Sequence, residues 1–397
     1  MSLLSTFSAF SIKGFQSLQN IFFPVRQFVG GTASDELGQF VSASANGLYA
    51  NAVNDDSDIV VYYKNNGIWA QQQVITPPTD TTVLCTAMNE DGDVMAVAGF
   101  TSFAATEAYR IYTRSGTTWT LSQSFDADGA GVSAIDYSGD YIAFQQSGVS
   151  PYTNVTSVYF RSGGSWSLQA DIPLATQQNL PQLTNSCWFS SDGQYLCTAY
   201  TVNGVSDPRR IDVYLRTGTS WALQQTLPVP TQPPTYNIQN VRMSANGDLI
   251  VAADPTQQLV RVWTRSGSTW TQQSDITAPS GDLTENFANC LALSGDGQSL
   301  FVGANIIPTI KPNGDPTPWG GMYYFANYSG SWTQVQRMLN PLPYPTTTLG
   351  PTLSPIFPSS LAANDVGSNF VVGVQRYWDR ENAEPQYEGA VYMYANN

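Results

Sequence analysis

The chain has 397 residues, a net charge of −14 and no histidine, so the commonest general base, metal ligand and pH switch is absent. An acidic surface of this kind repels nucleic acid and anionic lipid, which excludes the usual basic-patch partners. Charged residues make up only 12%, about half the usual share of roughly 25%, yet aromatic and β-branched residues are too plentiful for a disordered chain.

Taken in order, Met1 to Ile12 reads as an N-terminal arm, and residues 13–397 read as one domain. No apolar h-region precedes Gly14 and no run is long enough to span a bilayer, so neither a signal peptide nor a membrane span is expected. Phe15 to Phe23, FQSLQNIFF, resembles Trp221 to Leu227, WALQQTL, and Pro24 echoes Pro228. A repeated unit follows: VVYYKNNGIWAQQQ from Val60, YRIYTRSGTTWTLSQ from Tyr109, SVYFRSGGSWSLQ from Ser157, IDVYLRTGTSWALQQ from Ile211, VRVWTRSGSTWTQQ from Val260 and MYYFANYSGSWTQVQ from Met322. Each copy reads as two strands joined by a tight Gly turn, and internal repeats of this kind decide the architecture.

Another hairpin precedes each copy. Its turns centre on Gly47, Gly92, Gly139, Gly193, Gly247, Gly297 and Gly367, in Asn-Gly, Asp-Gly or related contexts that suit two-residue β-turns. Seven such turns imply seven units of four strands, A to D. In blade five these are Asn240–Met243, Leu249–Ala253, Leu259–Thr264 and Trp270–Ser274. Short, evenly spaced strands without helical periodicity indicate an all-β fold, a seven-bladed β-propeller of four-stranded blades. Six D strands stand against seven A–B hairpins, and the sequence given stops after the seventh C strand, VYMYANN. The missing D strand is therefore expected at Phe15–Phe23, closing the ring and protecting an edge.

Strands alternate in direction, so the A–B and C–D turns share one face and the B–C and D–A connections share the other. The turns are short. The connections include Pro228–Ile238, Ile306–Gly320, Asn340–Ser359 and Gln375–Glu388, and long loops on a rigid scaffold usually carry function.

Ser294 to Ala304, SGDGQSLFVGA, followed by MYYF and SGSW, resembles the FG-GAP-type repeat of integrin-α-like seven-bladed propellers; Asp35 to Phe40, DELGQF, resembles the start of such a blade. The resemblance implies the fold and, in many members, calcium held by a D-x-D-x-D-G loop. No blade here carries that full pattern. Asn54 to Asp58, NDDSD, and Asp126 to Gly129, DADG, are fragments of it.

Equivalence in every blade assigns Trp69, Trp119, Trp166, Trp221, Trp270 and Trp332 to packing between blades, the alternative being a ring of ligand platforms. Lys64, Arg114, Arg161, Arg216 and Arg265 enter the C–D turns, and blade six breaks the series at Ala326. They are expected to pair with Asp91, Asp140, Asp192, Asp248 and Asp296 of the A–B turns, or else to ring an anion site. The four cysteines lack zinc spacing and read as buried thiols, although Cys187 and Cys197 flank one hairpin. The long loops of blades six and seven concentrate Trp319, Tyr344, Tyr377, Trp378, Arg380 and Tyr387, residue types that dominate binding hot spots. These six are the expected partner-binding residues for a protein or glycan. Asp379, Glu381, Glu384 and Glu388 beside them leave a carbohydrate-active enzyme as an alternative, which requires two converging carboxylates. A calcium-dependent adhesin is a further alternative. The sequence points to a non-enzymatic recognition or structural module with no cofactor, and its composition suits a virion or phage attachment protein or a surface protein exported without a signal.

Overall fold

A computed structural model describes residues 21–30, 36–78, 81–101, 107–126, 130–147, 155–174, 186–200, 210–227, 240–279, 285–306, 308–310, 316–318, 320–339, 357–375 and 389–396. All regular structure among them is β. Seven antiparallel sheets of four strands form the blades of a propeller, and blade five adds a short Ile276–Thr277 strand that pairs with its C strand, beyond the end of the D strand. In blade five the strands are Val241–Met243, Leu249–Asp254, Leu259–Ser266 and Thr269–Gln272. The expected boundaries hold there to within two residues. Blade six carries an addition: a small hairpin pairs Pro308–Ile310 with Pro316–Pro318 inside the long Ile306–Gly320 connection.

The apolar core is seven wedges rather than one mass. Each buried cluster draws on two adjacent blades, as a sheet with two apolar faces requires. The Trp residues sit in these wedges. Trp69, Trp119, Trp166 and Trp270 are buried, while Trp221 and Trp332 are partly buried.

The ring closes with an N-terminal strand, but at a different place from the one expected. Phe22–Val29 pairs antiparallel with Ala390–Asn396, so the closing strand begins where the expected one ends. Both segments begin with a Phe, and the one chosen sets Phe22 opposite Asn396, the place that Trp takes opposite Arg in the other blades. Phe22 packs edge-on against Phe301, Tyr324 and Phe370 at 5.0–5.1 Å between ring centroids, filling the wedge between blades six and seven. Pro24, which lacks a ladder donor, lies at a bulge of this edge strand. The Met1–Ile12 arm lies outside the described residues.

Two rings of hydrogen bonds join the blades. At the A–B turns, backbone N–H groups donate in sequence from Asn46 to Glu90, Glu90 to Tyr137, Tyr137 to Ser191, Ser191 to Ala245, Ala245 to Gly295, Asp296 to Asp365 and Asp365 back to Ala45. The turns that present these groups share one device. The side-chain oxygen of the first turn residue, Ser44, Asn89, Asp136, Ser190, Ser244, Ser294 or Asn364, accepts the N–H five residues later. The central glycines take positive φ, from 60° at Gly92 to 75° at Gly139, a region that costs other residues strain. At the rim, side-chain amides do the joining. Gln73 clamps the backbone N–H and C=O of Trp119, and Gln123, Gln225 and Gln336 clamp those of Trp166, Trp270 and Phe22. Each of these glutamines follows a β-bulge that turns the D strand.

Candidate functional site

The A strands of the seven blades surround an axial channel with a cavity of about 400 Å³. At the turn end, Tyr137 of blade three donates its hydroxyl to Asp365 of blade seven at 2.6 Å, tying nearly opposite sides of the ring. Gly295 lies so close to both side chains that a Cβ there would collide with them. Burial and the adjacent Asp365 carboxylate push the Tyr137 phenol far above its usual range, so it stays a donor.

One level of the channel departs from its neighbours. Two residues before the first turn residue stand Ser42, Ala87, Ala134, Ala292 and Ala362 in five blades, but Trp188 and Arg242 in blades four and five. The Arg242 guanidinium lies over the Trp188 ring at 4.5 Å. Both are partly buried and line the cavity. Regularity elsewhere is the signal that could have found this pair, since the A-strand position is small in the other blades.

All four cysteines are free; Cys187, Cys197 and Cys290 are buried. Cys187 pairs with Thr198 and Trp188 with Cys197, so the two hairpin cysteines point to opposite faces of blade four and cannot meet. Burial pushes the Cys197 and Cys290 thiols up to about 12 and Cys187 well above its usual value. All three are neutral thiols at neutral pH, neither nucleophiles nor metal ligands in that form.

The basic residues at the C–D turns act differently from expectation. Arg265 does meet Asp248, at 2.5 Å. Arg114 and Arg216 instead donate through Nε to the carbonyls of Gly92 and Gly193, at 2.7 and 2.9 Å. Three arginines stack on a Tyr of the preceding blade: Arg114 on Tyr49, Arg216 on Tyr141 and Arg265 on Tyr195. Where the preceding blade offers Val94, Arg161 lies over its own Trp166 at 4.7 Å. Lys64 donates to Asn369 of blade seven at 2.6 Å, so each of the five is engaged, all but Arg161 across a blade junction, and they form no ring of free cations. The register also places Asn327, not Ala326, opposite Trp332; its amide donates to Gly297, the same contact with a neutral group.

The Asn54–Asp58 segment forms a tight B–C loop. Asn54 accepts the Asp58 N–H at 2.8 Å, and Ser57 accepts the Val83 N–H of blade two at 3.1 Å. Asp55 and Asp56 point to solvent. Among the described residues no group of three acidic or thiol side chains is placed to hold a metal. The other fragment, Asp126–Gly129, has no described side chains.

The six expected partner-binding residues, Trp319, Tyr344, Tyr377, Trp378, Arg380 and Tyr387, all lie outside the described residues, as do Asp379, Glu381, Glu384 and Glu388. What the structure fixes is where their segments begin and end. Residues 340–359 join the D strand of blade six to the A strand of blade seven, and residues 375–389 join the B and C strands of blade seven. Both connections leave from the face opposite the hydrogen-bonded turns. Among the described residues no helix is long and apolar enough to cross a membrane.

In fold the chain is similar to the β-propeller domain of Cps50 (Swd1) from Myceliophteria thermophila, with a TM-score of 0.60 over 95% of this chain and 100% of that one, at 8% identity. A likeness at that identity establishes the propeller and nothing about its ligands. No family model matches the chain, and no curated protein matches it in sequence. The FG-GAP-type resemblance therefore rests on the quoted motifs alone.

Proposed function

We propose that the protein is a non-enzymatic recognition scaffold that presents the face of its B–C and D–A connections to a protein or glycan partner. The observation that carries this reading is the inequality of the two faces. The turn face is uniform: each blade contributes the same hydrogen-bonded turn, and its Arg and Tyr side chains are used between blades. On the other face the connections range from residues 255–258 in blade five to residues 340–359 between blades six and seven. Length and aromatic content vary there without changing the blades, which is how a scaffold gains a binding surface. The Tyr, Trp and Arg residues of the blade six and seven segments supply the hot-spot chemistry. Composition suits a virion or phage attachment role for this scaffold, and the FG-GAP-like motifs suit an adhesive one.

The test compares the faces. Replacing residues 375–388 by a four-residue turn should leave the melting temperature within a few degrees and weaken partner attachment by about tenfold or more, a loss of ~1.4 kcal/mol or more. Lysine at the exposed turn positions Thr117, Thr219 and Ser268 should leave attachment unchanged. Attachment that survives the loop replacement and fails with the lysines would assign recognition to the turn face.

A further inference from the structure

Partner binding on the outer face gives no role to Arg242. Two other arginines set back in the blades meet acids: Arg261 lies 3.1 Å from Asp254 and 3.4 Å from Asp275. Arg210 lies 3.8 Å from Asp212. Arg242 differs. Among the described residues its one hydrogen bond is to the Val241 carbonyl, at 2.9 Å, and no carboxylate pairs with it. A guanidinium has five N–H donors in a planar fork, so most of the fork faces the cavity. Removing a cation from bulk water costs several kcal/mol unless a counter-charge is supplied.

The surroundings do not supply that charge. The Cys187, Cys197 and Cys290 thiols near Arg242 are neutral. The Trp188 ring offers one face, an attraction worth ~0.5–2 kcal/mol. Asp365 stands at the turn end of the same cavity, three strand positions beyond the level of Arg242, about 10 Å along the axis at ~3.3 Å per residue. It is already held by Tyr137. Asn240, two residues before Arg242 and therefore on the same side of the strand, also lines the cavity. Its side-chain amide has no hydrogen-bond partner among the described residues. The wall around these donors mixes apolar side chains, among them Leu84, Leu361 and alanines of the other blades, with hydroxyls such as those of Ser42 and Ser133.

We propose that the axial channel binds a small monocarboxylate, with the carboxylate in the Arg242 fork and an apolar body along the channel wall. A carboxylate matches the guanidinium geometry with two parallel hydrogen bonds. One negative charge balances one guanidinium; a dianion would leave a second charge in a cavity that already contains Asp365. The volume lies within the roughly 300–1,000 Å³ of small-molecule sites. The site is independent of whichever partner the outer face engages.

Calorimetric titration of the full chain with benzoate, benzamide and inorganic phosphate tests the proposal. Benzoate should bind at one site per chain. Benzamide has the same shape without the charge and should bind at least about tenfold more weakly, as should phosphate, a difference of ~1.4 kcal/mol or more. Arg242→Gln should weaken benzoate by about tenfold or more and Arg242→Lys by less, because lysine keeps the charge and loses the fork. Benzamide binding as tightly as benzoate, phosphate binding more tightly than benzoate, or benzoate affinity unchanged in Arg242→Gln overturns the assignment. So does an absence of benzoate binding at about 10 mM, where even a complex near −3 kcal/mol is detected. The ligand comparison on the unaltered chain keeps the proposal open to refutation even if Arg242→Gln does not fold.

Discussion

The two rings that join the blades are built from different material. The ring at the turn face is backbone to backbone and is complete: all seven junctions carry the bond, whatever side chains stand there. The ring at the rim is side chain to backbone and is uneven. Four junctions have a two-bond glutamine clamp. The junction from blade three to four has one bond, from the Trp221 indole to Gln169 at 3.0 Å. In blade five Gln273 donates to its own strand at Thr271. Substitution can therefore loosen the rim one junction at a time, while the turn face yields only to changes in backbone conformation. A rigid turn face and a tunable rim leave the third surface, the face of the long connections, free to vary.

The strongest way to break this comparison is at the closing blade, where rim and core coincide. Phe22 fills the wedge between blades six and seven and is the residue Gln336 clamps. Phe22→Ala should destabilise by about 3–5 kcal/mol, the usual cost of truncating a buried large aromatic. Removing residues 1–29 should cost more, because it also bares the edge of Ala390–Asn396. Urea unfolding and sedimentation measure both. If either variant unfolds at the urea concentration of the full chain, the turn ring alone secures blade seven.

The same wedges rank the tryptophans. Trp166 is 1% exposed, and its indole N–H donates to Gly139 at 3.1 Å. Trp166→Ala should cost about 3–5 kcal/mol, and Trp221→Ala, at a partly buried site, about 1–3 kcal/mol. Equal losses in chemical denaturation would mean that the clamps, not the wedges, set the cost.

Much of this was legible in the chain because it is written in side chains that recur. The six Trp and seven Gly positions gave the blade count, since each repeats where the same wedge or turn repeats. The Gln four residues after Trp69, Trp119, Trp221 and Trp332 is also visible in the sequence, yet its partner lies in the next blade and no local pattern names it. The turn ring leaves almost no trace, because backbone donors are common to every residue. The closing strand was misplaced by about seven residues. Phe15 and Phe22 start equally good strands by local pattern, and only the wedge against Phe301 and Phe370 distinguishes them. Arg242 and Trp188 were hidden for the opposite reason: they are exceptions at a position whose rule is small.

Asp136 tests the turn side of the comparison without disturbing its backbone. Six blades use Ser or Asn as first turn residue, and blade three uses Asp. Burial pushes the Asp136 carboxyl up to about 6, against the donors Ser138 and Tyr141, which pull it down. A carboxyl with a folded pKa above its unfolded value of 3.8 contributes stability at low pH that is lost as pH rises through about 6. Asp136→Asn keeps the acceptor that Asn89 and Asn364 use. It should leave stability near pH 3.5 unchanged and raise it at pH 7.5 by about 1–3 kcal/mol, flattening the profile between. Thermal melts across that range decide; a profile as steep as that of the original chain would place the titration elsewhere.

The smallest effect sharpens the contrast most, because it isolates a clamp from the wedge beneath it. Gln225 accepts the Trp270 N–H and donates to the Trp270 carbonyl, both at 2.8 Å. Gln273 is exposed and reaches no other blade. The two residues occupy similar places after their tryptophans and differ mainly in that connection. Gln225→Ala deletes two hydrogen bonds and strands a partly buried backbone pair, so it should cost about 1–2 kcal/mol. Gln273→Ala should fall within about 0.5 kcal/mol of no change, as surface substitutions do. Gln123→Ala should match Gln225→Ala, since Gln123 holds Trp166 at 2.6 and 2.9 Å. A whole blade junction, that of blades three and four, lies between these clamps, so the double variant should lose the sum of the single losses to within about 0.5 kcal/mol. A loss well beyond that sum would mean that opening one clamp loosens the next. The rim would then be a cooperative ring like the turn face rather than a set of independent joints.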